Sequence, residues 1–173
     1  MERIMRRIKI ADLEAANEIY NQAVRSKYQT AETEETSLVY RKGWYEEHQS
    51  GNYPVFVVED QNEVVGWVSL SEYRKGRKAL RYTSEVSFYL RKDKQGQGIG
   101  TELLNFVIDR AREINIKTLI AILLEPNTAS IRLLKKFDFK KWGDMPNAAE
   151  FDGLECNHQY YGLRISEGAH RNK

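Results

Sequence analysis

Gln95-Gly96-Gln97-Gly98-Ile99-Gly100-Thr101 is the stretch that decides how this chain of 173 residues is read. Tyr82 to Leu90, just before it, alternates in the manner of a β-strand, with Arg91 to Gly98 as a turn. After it, Ile99, Leu103, Leu104, Val107, Ile108 and Ala111 recur on one face, which predicts an amphipathic helix ending near Glu113. Three glycines on alternate positions leave backbone N–H groups unscreened by side chains. They stand at a helix N-terminus, where unpaired donors and the helix dipole favour an anion. A phosphorylated ligand is the natural guest. The segment is no Walker A loop, because no Gly-Lys-Ser/Thr follows. It also misses the dinucleotide fingerprint, since Thr101 stands where the third glycine belongs.

Working outward, Ile4, Ile8 and Ile10 suggest a short first strand, and Asp12 is expected to cap a helix over Leu13 to Val24. A second helix carries Leu38, Tyr40, Trp44 and Tyr45 as a packing stripe, and Gly51 is expected to close it in a left-handed cap. Tyr53 to Glu59 and Val64 to Ser71 read as a hairpin with a polar turn. Glu72 to Leu80 is a basic loop. Lys117 to Leu124 reads as a strand inside a sheet, Asn127 to Lys136 as a helix, and Phe137 to Trp142 with His158 to Ile165 as a last strand pair. The sum is one α/β domain with a mixed sheet over residues 1–166, followed by a polar tail, 167–173.

Composition agrees with a globular domain: 41% hydrophobic, 30% charged, three prolines. Twenty-seven basic against 25 acidic residues give a net charge of +2, which offers no argument for a nucleic-acid or membrane partner. Arg3, Arg6, Arg7 and Lys9 interrupt any leader-like run, and the single Cys156 has no internal partner, so a cytoplasmic location is expected. Cys156, His158 and Asp152 lack the spacing of a metal site, and none is expected. His48, beside Trp44 and Tyr45, reads as a packing or surface residue.

The order of elements around the glycine turn resembles the GNAT superfamily of acyl-CoA-dependent N-acyltransferases. Gln95, Gly98 and Gly100 match that family's Q/R-x-x-G-x-G/A pyrophosphate loop, and Asn127 and Ser130 match its N-x-x-S motif about 30 residues on, with a strand between. Within it the chain resembles the branch of phosphinothricin and methionine sulfoximine N-acetyltransferases. That likeness is carried by Tyr53-Pro54-Val55, Gly66 to Ser71, Arg81 to Leu90 and Glu32-Thr33. The resemblance implies a mixed, mostly antiparallel sheet flanked by helices on both faces. It also implies acetyl-CoA as co-substrate, a small-molecule amine as acceptor, direct transfer in a ternary complex, and a homodimer.

Residue by residue, the resemblance implies cofactor binding by Phe88, Tyr89 and Leu90, by Gln95, Gly96, Gln97, Gly98, Ile99, Gly100 and Thr101, and by Asn127 and Ser130. Arg132, Lys135 and Lys136 either reach the nucleotide's extra phosphate or form the wet face of their helix. Glu32, Arg74 and Tyr82 would contact substrate. An amine attacks a thioester only when neutral, so a proton acceptor is required. Glu85 stands where the branch carries a glutamate in that role. A backbone N–H of Tyr89 or Leu90 would hold the tetrahedral oxyanion, where the central strand splays from its neighbour. The chain departs from the family at Leu134, where a tyrosine or histidine commonly donates a proton to the leaving thiolate. Either solvent assists, or Tyr89, Tyr160 or Tyr161 serves, with Tyr89 placed among the catalytic residues. Asp138-Phe139 replaces Gly-Phe, with Asp able to hold a left-handed turn. Ala31 replaces a phenylalanine, and Met145 to Asn157 matches the branch poorly. The rival readings are a protein or peptide acetyltransferase on the same fold and a non-catalytic acyl-CoA-binding module.

Overall fold

A computed structural model describes residues 3–165. The expected tail at 167–173 lies outside them. Strands β1 (Ile4–Arg7), β2 (Val55–Asp60), β3 (Glu63–Glu72), β4 (Thr83–Leu90), β5 (Thr118–Leu124), β6 (Lys140–Phe151) and β7 (Leu154–Arg164) form one seven-stranded sheet in the order β1-β2-β3-β4-β5-β7-β6. All pairs are antiparallel except β4 with β5. Helices α1 (Leu13–Arg25), α2 (Leu38–Ser50), α3 (Ile99–Glu113) and α4 (Thr128–Lys136) cover it.

Strand alternation sends side chains to two separate cores. On one face Val58, Val65, Val68, Leu70 and Val86 meet Ile99, Leu103, Leu104 and Val107 of α3 and Leu134 of α4. On the other, Val55, Val57 and Trp67 meet Leu13, Ala16 and Ile19 of α1, with Trp44 and Tyr45 of α2 packed beside them. The buried Trp67 Nε1–H donates to the Ala16 carbonyl at 3.0 Å, which satisfies the indole and pins α1 to β3.

Several local expectations need correcting. Asp12 makes no side-chain cap to α1. Its carboxylate instead accepts from Lys9 N–H at 2.7 Å and from both ends of the Arg6 fork, closing the short 3-10 turn Ile10–Asp12. Gly51 is extended, at φ −116°, so α2 ends without a left-handed cap, while Ser37 caps its start by accepting from Tyr40 N–H at 3.1 Å. The packing stripe of α2 is incomplete, because Leu38 and Tyr40 are exposed. The last strand pair is far longer than Phe137 to Trp142 with His158 to Ile165. It runs through Phe151 and turns on Asp152 and Gly153, both at positive φ, as a two-residue hairpin requires. β6 hid its length because it is an exposed edge strand without apolar alternation, and Pro146 falls where the register shifts between Met145 and Ala149. Asp138 does hold the left-handed turn after α4, at φ +63°.

Candidate active site

The sheet opens at its centre. β4 pairs with β3 over nearly its whole length, from Ser84 opposite Glu72 to Leu90 opposite Gly66, but with β5 only from Thr83 opposite Thr118 to Glu85 opposite Ile120. Beyond that rung β5 follows β7. Arg91 N–H donates to Val65 O at 2.9 Å and Leu70 N–H to Pro54 O at 3.0 Å, which fixes the parity of the ladder. The peptide groups of Ser87 and Tyr89 therefore face β3, and those of Phe88 and Leu90 face the gap. Of the expected oxyanion donors, only Leu90 presents its N–H there.

One cleft, of about 380 Å³, lies on the α3 and α4 side of the gap. Phe88, Tyr89 and Leu90 line it from β4, Gln95, Gly96, Gly98, Gly100 and Thr101 from the glycine turn, and Asn127, Ser130, Arg132 and Lys136 from the start and body of α4. Gly96 and Gly98 stand at φ +74° and +84°, with open space where a Cβ would be. The backbone N–H groups of residues 96 to 100 have no protein acceptor among the described residues. No carboxylate lines the cleft, and Arg132 and Lys136 add positive charge at its rim. Unpaired donors, a helix N-terminus and two cations make it a site for a polyanion. Asn127 also has a structural task, since its Oδ1 accepts from Ser130 N–H at 3.3 Å and caps α4.

A second cavity, of about 350 Å³, lies on the α1 and α2 side. Ser69, Ser71, Glu85, Ser87 and Tyr89 form its floor, Tyr20, Tyr40, Arg41, Trp44 and Trp67 wall it, and β5 and His158 of β7 close the far side. Glu85 is its only carboxylate, and desolvation raises the Glu85 pKa above the ordinary carboxylate value. Tyr89 and Gln29 line both cavities. The Tyr89 ring meets Tyr20 edge-on at 4.9 Å, and burial holds its hydroxyl well above the usual phenol pKa. His48 is buried, with Nδ1–H donating to the Trp44 carbonyl at 2.8 Å and Nε2 within 3.3 Å of Ser71 Oγ, which lies on the cavity floor.

The structure thus gathers Glu85, Phe88, Tyr89, Leu90, Gln95, Gly96, Gly98, Gly100, Thr101, Asn127 and Ser130 around one gap. The Gln97 side chain turns away to donate to Asp93 O at 2.9 Å, and the Ile99 side chain is wholly buried in the core. Glu32, Arg74 and Tyr82 line neither cavity; all three are exposed, and Arg74 sits in its loop at φ +60°. Leu134 is wholly buried in the α3 core. Tyr160 and Tyr161 line neither cavity, which leaves Tyr89 alone of the three tyrosines at the gap. Sequence reasoning missed Arg41, whose only signal was a basic residue at helical spacing from Trp44. Among the described residues no cluster of His, Cys, Asp and Glu could hold a metal ion, and no helix is long and apolar enough to cross a membrane.

Comparison with known proteins gives the same architecture an ancestry. The model of the acetyltransferase (GNAT) family matches residues 13–139. The chain is 33% identical to the L-methionine sulfoximine/L-methionine sulfone acetyltransferase of Salmonella typhimurium, over 92% of each chain. It is 31% identical to the L-amino acid N-acyltransferase MnaT of Escherichia coli, over 91% of each. The structure superposes on a phosphinothricin acetyltransferase from Sinorhizobium meliloti in complex with acetyl-CoA with a TM-score of 0.91, at 26% identity, covering 98% of this chain and 91% of that one.

Proposed function

Because the chain belongs to the GNAT acetyltransferase family, we propose that it transfers the acetyl group of acetyl-CoA to the primary amine of a small amino-acid-like acceptor, directly, in a ternary complex. The observation that carries this is the pair of cavities meeting at the opened β4 edge, one lined by unpaired backbone donors and cations, the other holding a single half-buried carboxylate. The named relatives that act on amino acids and sulfoximines support the acceptor class.

The residues of the polyanion cleft fit acetyl-CoA. The turn from Gln95 to Thr101 binds the pyrophosphate through its free N–H groups, and Arg132 and Lys136 meet the remaining phosphate charge. Phe88 and Leu90 offer peptide groups that no strand uses, to which an extended amide-bearing arm adds as a further strand. Leu90 N–H is then the donor aimed at the thioester carbonyl, where it stabilises the developing oxyanion without having to reorganise.

Glu85 accepts the proton of the incoming ammonium. Tyr89 lies four strand steps beyond it, roughly 13 Å at about 3.3 Å per residue, so the proton travels through ordered water along the floor past Ser87. Its raised pKa suits the task, since a base poised nearer neutrality is a better acceptor than an ordinary carboxylate. Tyr89 stays protonated and donates a hydrogen bond to the departing thiolate. Its elevated pKa makes it a stabiliser of that charge rather than a full proton donor.

The test is thiol release from acetyl-CoA, with mass detection of product, over free amino acids, methionine sulfoximine, polyamines and short peptides. Release with small α-amines alone supports the reading. Release only with peptides points to a protein acetyltransferase, and silence across the panel with acetyl-CoA still bound points to a binding module.

A further inference from the structure

His48 stands in the last turn of α2 and is buried, so each of its ring nitrogens needs a partner. Nδ1 lies 2.8 Å from the Trp44 carbonyl oxygen and Nε2 lies 3.3 Å from Ser71 Oγ. A carbonyl oxygen only accepts, so Nδ1 carries the ring hydrogen, and in the neutral imidazole Nε2 is left with a lone pair. The Trp44 indole packs on the imidazole with 4.6 Å between centroids, which holds the ring in that orientation. The Ser71 hydroxyl hydrogen is therefore turned toward Nε2, and its oxygen presents only lone pairs to its other neighbours.

Among those neighbours is Glu85. Ser71 on β3 and Glu85 on β4 stand directly opposite each other in the antiparallel ladder, and both line the cavity on the α1 and α2 side. The β-carbons of such a pair lie about 5 Å apart, which lets a glutamate carboxyl meet a serine oxygen directly or through one water. On its other flank Glu85 has Ile120, which offers nothing polar. An oxygen with only lone pairs to give accepts from a protonated carboxyl and repels an ionised one.

We propose that His48 is a positioning residue of the acetyl transfer: by holding the Ser71 hydroxyl hydrogen it makes Ser71 an acceptor for the acid form of Glu85, which strengthens Glu85 as the acceptor of the ammonium proton. The inference rests on the acetyltransferase reading above. Burial acts on Glu85 in the same direction. The other titratable or charged groups around the cavity are Tyr20 of α1, Tyr40 and Arg41 of α2, Tyr89 of β4 and His158 of β7. None is a cross-strand partner of Glu85. All are common to the wild type and the variants below, so differences among these isolate the Ser71 pair.

The experiment reads protonation at both ends of the contact. In the wild-type protein, long-range proton–nitrogen NMR of the histidine rings should show His48 with its hydrogen on Nδ1 and a lone pair on Nε2. A neutral ring with its hydrogen on Nε2 overturns the inference, and that observation needs no variant. The pH midpoint of Glu85 is then followed by carbon NMR of isotopically labelled glutamate carboxyls, its signal being the one missing from Glu85→Gln, and by the acid limb of kcat/KM. Ser71→Ala should move both to lower pH, because the acid form loses its acceptor. His48→Phe should move them further, by about half a unit to one unit in all, because the freed hydroxyl then donates to the carboxylate. His48→Gln, whose Oε1 takes the same hydroxyl hydrogen, should stay near the wild type. In a Ser71→Ala background His48→Phe should add nothing. A Glu85 midpoint that rises in Ser71→Ala shows Ser71 donating to the carboxylate and overturns the inference. So does a midpoint that moves in neither variant, or a His48→Phe shift that persists without Ser71. If His48→Phe does not fold, the sign of the Ser71→Ala shift and the wild-type tautomer decide. If no amine is acetylated, or the acid limb ignores a moving Glu85 midpoint, it is the acetyltransferase reading that fails, and the NMR midpoints still decide whether His48 acts on Glu85 through Ser71.

Discussion

Glu85 and Ile120 face each other across the last rung that joins β4 to β5. The one carboxylate lining the cavity on the α1 and α2 side thus stands where the sheet begins to open, at the start of the free edge that leads to Leu90. Replacing Glu85 by Gln should lower kcat by about 10²-fold or more, the usual contribution of a positioned base, and leave acetyl-CoA affinity unchanged by calorimetry. Because burial raises the Glu85 pKa, the acid limb of the kcat/KM profile should lie above the ordinary carboxylate range, with activity rising as pH rises through it. That limb should be missing from the variant. A variant with wild-type turnover at neutral pH removes Glu85 from the mechanism.

The same burial has a thermodynamic cost with a definite sign. A carboxyl whose folded pKa lies above its unfolded value binds its proton more tightly when folded, so its ionisation destabilises the fold at higher pH. Glu85→Gln should therefore raise the melting temperature at neutral pH. The gain should shrink as pH falls through the raised pKa and vanish below the ordinary value. Scanning calorimetry at several pH values checks this, and a variant less stable than wild type at neutral pH would mean that the carboxylate is held by a favourable partner in the fold.

Gly98→Asp should abolish acetyl-CoA binding. Gly98 stands at φ +84°, and the space above it is empty of protein atoms, so a carboxylate there would both strain the turn and repel phosphate. Isothermal titration reads the loss directly, while circular dichroism should show the fold retained. Unchanged affinity would move the polyanion site elsewhere.

Leu134 is wholly buried among α3 side chains. Leu134→Ala should cost about 2–5 kcal/mol in chemical denaturation, as cavity-forming core changes do. Leu134→Tyr, which installs the family's common side chain, should also destabilise, through overpacking and a buried hydroxyl, and should not raise kcat. A faster, stable Leu134→Tyr enzyme would show that this position reaches the thioester.

How much of this was legible in the sequence follows from where physical constraints are local. The glycine turn and the α3 stripe are set by residues a few positions apart, and the structure has them where the local pattern put them. The hairpin of β6 and β7 was underread because an exposed edge strand carries no apolar alternation, although Asp152-Gly153 is a strong turn signal. Asp12 was assigned to the helix after it because capping is a local rule, whereas Arg6 from β1 and the preceding turn claim its oxygens. Arg41 gave no local sign beyond its helical spacing from Trp44. Its environment is built from α1, α2 and β3 together, and only packing reveals a cation without a carboxylate.

The central claim is direct transfer between two ligands held on either side of the opened β4 edge. It is tested most directly by quenched-flow thiol release with intact-protein mass spectrometry, first with acetyl-CoA alone and then with acetyl-CoA and an acceptor amino acid. The account predicts no free thiol and no acetylated protein in the first case, and thiol and N-acetylated amino acid in equal amounts in the second. A burst of thiol with an acetyl adduct on the protein before any amine is added would contradict it.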